Sequence, residues 1–158
     1  MSDERPWGSG VALDAALQPI VERLASESKA RLVFLLHREG HMLAVSGEGE
    51  NRSLDATSLA SLTAGNLSAA RAIAALLGEV EFEGQLLEGQ ESRVYLKAIG
   101  KAILVVIFDL TTSLGLVRLR VRKASGEIDR LLAMMLQAPP QWAPTSDVLD
   151  EIDDLFSG

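Results

Sequence analysis

An α+β sandwich, with helices on both faces of one five-stranded antiparallel sheet, is the fold class that this sequence predicts. Three observations support it. A chain of 158 residues suits one hydrophobic core better than two. Strand-like apolar runs occur as a pair and then a trio, each with short connections that favour antiparallel pairing. Segments with helical periodicity precede, separate and follow these groups, so we expect helices against the sheet.

A helix and a hairpin begin the predicted core. Five apolar residues recur at helical spacing: Leu13, Leu17, Ile20, Val21 and Leu24. Pro19 either kinks this helix or marks its first turn. The unbroken run LVFLL at 32–36 predicts a strand buried on both faces. A turn at Glu39 and Gly40 then leads to a second strand at 41–46, which completes a hairpin.

A long helix over residues 54–78 is the most informative segment. Its larger aliphatic residues are predicted to face the sheet: Leu59, Leu62, Ile73 and Leu77. The opposite side is small and nearly uncharged, with Ala60, Ala64, Ser68, Ala72 and Ala75. Small side chains let another backbone approach closely, so this side is predicted to be covered by a second protein chain. The alternative is that alanine serves only as a helix former on a modestly exposed face.

Three strands and a helix complete the predicted domain. The strands are expected at 80–87, 93–99 and 102–108. The segment that follows is ambiguous, since residues 117–122 alternate like a strand. Apolar residues nevertheless keep a helical period from Leu114 to Met135, and the longer pattern predicts a helix. Thr112 or Ser113 is suited to cap its N-terminus.

The two ends of the chain are predicted to lie outside the domain, which we assign to residues 11–137. Residues 1–10 are a polar lead-in, and residues 138–146 form a linker with three prolines. In the acidic segment 147–158, apolar residues recur at helical spacing: Val148, Leu149, Ile152, Leu155 and Phe156. So short a helix is marginal alone, which favours folding against a partner groove. The alternatives are a segment docked on its own domain or simply solvated.

Composition and charge exclude several classes of function. The net charge is −7, and the last twelve residues account for five of these charges with five acids and no base. Neither the last twelve residues nor the rest of the chain has the positive electrostatic field needed to bind nucleic acid or an anionic membrane. The absence of cysteine excludes disulfides and thiolate metal sites. We find no run of about 18 apolar residues that would predict a membrane span, and we expect a cytoplasmic protein.

The sequence predicts no catalytic residue, metal site or cofactor. It has no Gly-rich phosphate loop and no GxSxG motif. His37 and His41 are expected to be a polar pair on the surface, because two imidazoles make a weak metal site. The densest basic group spans residues 118–123. It is too small for a DNA-binding patch and is also explained as a solvated helix face.

Three segments resemble the bacterial Roadblock-domain proteins that pair with Ras-like small GTPases of the MglA type. They are DATSLASLTAGNLSAA (55–70), FDLTTSLGLVRLRVRKAS (108–125) and EIDDLF (151–156). The resemblance implies a Roadblock, longin-like sandwich with one long helix on one face of the sheet and two on the other. It further implies a homodimer formed through the long helix and an edge strand. The implied function is GTPase activation in cell polarity and motility, in the cytoplasm and concentrated at a cell pole.

The resemblance also implies partner-binding positions. The GTP-bound GTPase would sit over the long helices of two protomers, at Ala64, Leu67, Ser68, Arg71 and Ala72. Arg122 and Lys123 would add contacts from the last helix, and Ile152, Leu155 and Phe156 would bind the GTPase away from its nucleotide and aid exchange.

The implied mechanism rearranges the GTPase's own switch region without an arginine finger. An approach of Arg71 to the nucleotide remains an alternative. A Roadblock scaffold that binds a GTPase or motor component without accelerating hydrolysis is the second interpretation of the whole chain, and an enzyme with its own active site is the third.

Overall fold

Three helices and five strands make up the part of the chain that the structure, a computed structural model, describes: residues 10–47 and 55–137. In order they are α1 (Gly10–Ser28), β1 (Leu32–His37), β2 (Met42–Gly47), α2 (Ala56–Leu76), β3 (Gln85–Glu88), β4 (Ser92–Ile99), β5 (Ala102–Asp109) and α3 (Leu114–Gln137). The predicted order of elements is confirmed.

The strands form one antiparallel sheet in the order β2-β1-β5-β4-β3. β1 and β5 lie next to each other, where Leu32 pairs with Ile107 and His37 pairs with Ala102. Both strands are buried along nearly their whole length, as their unbroken apolar sequences predict. β2 and β3 form the two edges of the sheet.

Alternation along the strands divides the interior into two cores, one on each face of the sheet. Val33 and Leu35 point toward α1 and α3, whereas Leu32, Phe34 and Leu36 point toward α2. One helix therefore covers one face and two cover the other, as predicted. An ion pair between Arg120 and Glu27, 3.0 Å apart, joins α3 to α1, and Arg23 pairs with Glu127 between the same helices.

α1 and α3 settle the two points that the sequence left open. α1 begins at Gly10, so Pro19 lies in its interior and does not mark its first turn. Residues 114–137 are helical, which confirms the longer apolar period over the strand-like alternation. Ser113 caps α3, because its Oγ accepts a hydrogen bond from the Leu116 N–H at 3.2 Å.

The strand predicted at 80–87 is wrong for most of its length, since β3 begins only at Gln85. α2 ends in a Schellman motif, in which the Glu79 N–H bonds to the Ala74 carbonyl at 2.8 Å and Gly78 takes φ of 79°. The chain leaves this motif as a loop over residues 79–84. The apolar residues Val80 and Phe82 mimic a strand in sequence, yet both are exposed.

Candidate functional site

α2 packs on the sheet through its smaller residues, and its predicted orientation is wrong. Its buried positions are Ala60, Thr63, Ala64, Leu67, Ala70 and Ala74. Of the four residues predicted to face the sheet, only Leu59 packs against the core. The other three are exposed: Leu62, Ile73 and Leu77.

The physical reason is the shape of the sheet face beneath α2. Phe34, Ile103 and Val105 supply bulk from the strands and share a core cluster with Ala60 and Ala64. Small helix residues opposite large strand residues fill the space at high density and let the helix lie close to the sheet. The larger aliphatic residues of α2 are therefore left on its outer side.

The exposed side of α2 has two flanks at helical spacing. Leu62, Ile73 and Leu76, which we call the bulky flank, are 71%, 54% and 88% exposed. Ser68, Ala72 and Ala75, which we call the small flank, are exposed as well. Large aliphatic side chains this exposed along one helix form an apolar patch, which in soluble proteins marks an interaction surface.

Arg71, at the border of the small flank, is the only charged residue within α2. Its Nε lies 3.7 Å from a carboxylate oxygen of Glu81, and the side chain is about half exposed. Arg38 binds the same carboxylate at 2.9 Å and donates from Nε to the Gly100 carbonyl at 2.7 Å. Glu81 thus ties the 79–84 loop to α2 and to the turn between β1 and β2, whose Arg38 also bonds to the turn between β4 and β5.

The structure separates the residues predicted to bind a partner. Ser68, Arg71 and Ala72 lie together on the exposed side of α2. Ala64 and Leu67 are buried beneath the helix, 8% and 7% exposed, because they pack on the sheet. The prediction that these two present an open surface is therefore wrong for the chain in this form.

The remaining predicted contacts lie elsewhere. Arg122 and Lys123 are exposed on α3, on the opposite face of the sheet from α2. A protein that contacts them as well as α2 would have to extend around the edge of the sheet. Ile152, Leu155 and Phe156 fall outside the described residues.

The two histidines differ from the predicted surface pair. His41 is exposed, but the His37 side chain is 7% exposed, and their ring centroids lie 6.2 Å apart. Burial lowers the pKa of His37, against the opposing effect of the Glu39 carboxylate. His37 Nδ1 accepts a hydrogen bond from the Glu39 N–H at 3.2 Å. Across residues 10–47 and 55–137 no group of three potential ligands could hold a metal ion.

By length and composition alone, α2 is apolar enough to cross a membrane, although no membrane span was predicted. In the described chain, 33% of its most apolar window is buried. The core helices of soluble proteins can be equally long and apolar. Its apolar character has a direct explanation, since one side packs on the sheet and the other forms the two flanks.

The architecture defines a class. A five-stranded antiparallel sheet with one helix on one face and two on the other is the longin-like sandwich of Roadblock domains. Residues 17–108 match the Roadblock/LC7 domain family. The chain therefore belongs to that family.

Solved structures place the chain near particular members. It is 38% identical to Myxococcus xanthus MglB, with a TM-score of 0.75 over 87% of this chain and 96% of that one. It is 31% identical to the gliding protein MglB of Thermus thermophilus, with a TM-score of 0.70 over 80% and 93%. An MglB with a tetrameric arrangement is 30% identical, with a TM-score of 0.71 over 82% and 94%.

Proposed function

We propose that this protein is a homodimeric GTPase-activating protein for a Ras-like small GTPase of the MglA type. The observation that carries the proposal is the exposed, nearly uncharged side of α2 in a chain that is similar to MglB. The proposed setting is cell polarity and motility, in the cytoplasm and concentrated at a pole. The protein would regulate an enzyme and would have no active site of its own.

The two flanks of α2 suit two different partners. The bulky flank, with its exposed leucines, would pack against the same flank of a second copy, as twofold dimers require self-complementary surfaces. The small flank lets a different backbone approach closely and would receive the GTP-bound GTPase. Since a dimer places two α2 helices side by side, one GTPase would contact two protomers.

GTP hydrolysis would be accelerated by docking of the GTPase on the dimer alone. Arg71 lies mid-helix and its guanidinium is engaged by Glu81, whereas an arginine finger must extend into the partner's nucleotide site. The dimer would instead bind the hydrolysis-ready arrangement of the GTPase's switch region more tightly than the resting one. Such differential affinity shifts the population toward the reactive state.

The segment 147–158 would make a separate contact. Its apolar residues Ile152, Leu155 and Phe156 are proposed to bind the GTPase away from the nucleotide and to aid exchange. Deleting residues 139–158 would then weaken coupling without abolishing it.

GTP turnover by a cognate GTPase, with and without this protein, tests the proposal. Ala72→Arg should abolish stimulation while leaving the fold intact, because a long charged side chain on a close-packed face must be desolvated. Ala133→Arg is the matched control, since Ala133 is exposed on α3 across the sheet. Full stimulation of GTP turnover by the Ala72 variant would show that the GTPase does not bind at the small flank.

The same assay separates the scaffold interpretation from activation. A scaffold would bind the GTPase through the same surface and leave turnover unchanged at saturating protein. Arg71→Ala provides a second distinction. It should reduce affinity at most, and loss of turnover at saturation would show that Arg71 acts as a finger.

A further inference from the structure

A cleft of about 950 Å³ opens between α3 and the 79–84 loop, on the side of the sheet opposite the small and bulky flanks. Arg118 and Arg122 line it from α3, and Lys97 lines it from β4. The floor includes the ring of Tyr95, whose centroid lies 6.0 Å from the Arg118 guanidinium carbon.

The charges of the cleft sum to a basic surface. Its three cations, Lys97, Arg118 and Arg122, face two acids of the loop, Glu81 and Glu83. Glu81 is already neutralised by Arg38 and Arg71 from outside the cleft. Cations in a concave site attract an acidic ligand more strongly than they would on a flat surface.

The cleft is also partly apolar. Phe82 is 38% exposed, and Leu86 is a partly buried residue at the margin of the core. Both line the cleft together with the basic side chains. Apolar contacts within a basic rim fit one kind of ligand well, an amphipathic helix whose polar side is acidic.

We infer that the occupant of this cleft is the protein's own C-terminal segment, residues 147–158. The segment carries five acids and no base, interleaved with the apolar stripe from Val148 to Phe156. Its charge and its periodicity are therefore complementary to those of the cleft. A segment held there is withdrawn from other partners until it is displaced.

The intervening chain is long enough. α3 ends at Gln137, and Arg122 lies fifteen residues earlier, which is about 22 Å along a helix. Residues 138–146 can span about 30 Å when extended, so the segment can turn back along α3 to the cleft. The exposed side of α2 is a poorer site, because Arg71 is its one cation and already pairs with Glu81.

A spin label on the C-terminal segment tests this in the full-length protein without any GTPase, so the result is independent of the proposed function. The chain has no cysteine, and Ser157→Cys therefore gives one attachment site. We expect the label to broaden the backbone amide signals of residues lining the cleft, such as Gly84 and Arg122. Raising the salt concentration should diminish the broadening, because screening weakens attraction between exposed charges.

Charge substitutions provide the matched control. Arg118→Glu with Arg122→Glu should abolish the broadening, and adding Asp150→Lys with Asp153→Lys should restore it. Lys123→Glu with Arg130→Glu reverses the same number of charges at exposed positions of α3 outside the cleft, and should leave the broadening intact. Restoration by the charge swap also shows that the first variant remains folded.

Three results would overturn the inference. One is an absence of broadening at the cleft, and a second is broadening centred on α2. The third comes from mixing isotope-labelled chains without a spin label and spin-labelled chains without isotope, then allowing subunits to exchange. Broadening of the cleft signals in that mixture would assign the cleft to the C-terminal segment of another copy.

Discussion

Gly47 ends β2 with φ of 114°, a conformation that side chains rarely adopt. A Cβ atom at this position would also collide with the backbone carbonyl of Arg31. Gly47→Ala should therefore lower the free energy of unfolding by about 3 kcal/mol or more, since strain and overpacking add. Denaturant titration measures the loss.

Gly40 is the matched control for that substitution. Its φ is 103°, but nothing lies within 4 Å of an added Cβ. Gly40→Ala should cost about 1–2 kcal/mol from backbone strain alone. Equal losses for both variants would show that the contact with Arg31 has no effect on stability.

Asp55 caps α2 by accepting hydrogen bonds from the hydroxyl and the backbone N–H of Ser58, at 2.6 and 3.0 Å. The side-chain bond, and then the backbone bond, lower the pKa of Asp55 from 3.8. A carboxyl with a lower pKa in the folded state stabilises that state above its unfolded pKa. This contribution is lost as the pH falls through the folded value.

Asp55→Asn should therefore become relatively more stable as the solution is acidified from about pH 5 to pH 2. Asparagine still caps the helix but does not titrate. The measurement is the difference in unfolding free energy between the two proteins across this range. Hydrogen bonds from Thr111 also lower the pKa of Asp109, but this carboxyl is common to both proteins and its effect cancels. A constant difference would contradict the assigned hydrogen bonds.

At the scale of single residues, sequence predicted a cap at Thr112 or Ser113 and the turn at Glu39 and Gly40, because both depend on local chemistry. The burial of His37 was missed. His37 ends β1 and pairs with Ala102 of β5, so its environment is set by a strand distant in sequence. Local patterns do not report such a neighbour.

At the scale of elements, α2 shows that the side of a helix with the larger apolar residues is not always the buried side. Ala64 is 8% exposed and Ala72 is exposed, although both are small residues on one helix. Ala64→Arg should lower the unfolding free energy by about 3 kcal/mol or more, because a charge would be forced into the core beside the sheet. Ala72→Arg should change it little, and thermal unfolding compares the two.

Equal stability of the two arginine variants would contradict the orientation of α2. The larger aliphatic residues were predicted to face the sheet, because the most apolar side of an amphipathic helix is ordinarily its core side. That expectation fails here because the strands supply the bulk beneath α2 and the helix fills the space with small residues. One feature of the sequence bore on this orientation. Both sides of α2 lack charge, and Arg71 is the only charged residue of the helix.

The element that sequence described best is β5, whose unbroken apolar run required burial on both faces. β3 was described least well, because exposed Val80 and Phe82 continued its pattern into a loop. That loop is fixed by Glu81, which contacts arginines from two other elements. Ion pairs between distant segments leave no periodicity in the sequence.

At the scale of the whole molecule, strand grouping and connection length were enough to predict the architecture. Hairpins at 37–42 and 99–102 keep successive strands paired, and α2 joins the two groups across one face. The sheet then places α2 and α3 on opposite sides. The partner contacts that the resemblance implies on α2 therefore lie on the opposite side of the sheet from those that it implies at Arg122 and Lys123.

The two faces of the sheet therefore carry different candidate binding surfaces. The α2 side offers the bulky and small flanks, and the α3 side offers the basic cleft. In the proposed function, the first side builds the dimer and receives the GTPase. The second side, by the separate inference drawn from the cleft, holds the acidic C-terminal segment while no GTPase is bound to that segment. The whole arrangement depends on a second copy covering the bulky flank.

The mass of the purified protein in solution, measured by light scattering at micromolar concentration, tests that dependence most directly. One chain weighs 17.0 kDa, and we expect particles of at least two chains. Leu62→Lys with Leu76→Lys should reduce them to single folded chains, since both side chains are exposed in the isolated protomer. A wild-type protein with the mass of one chain would contradict the proposed dimer.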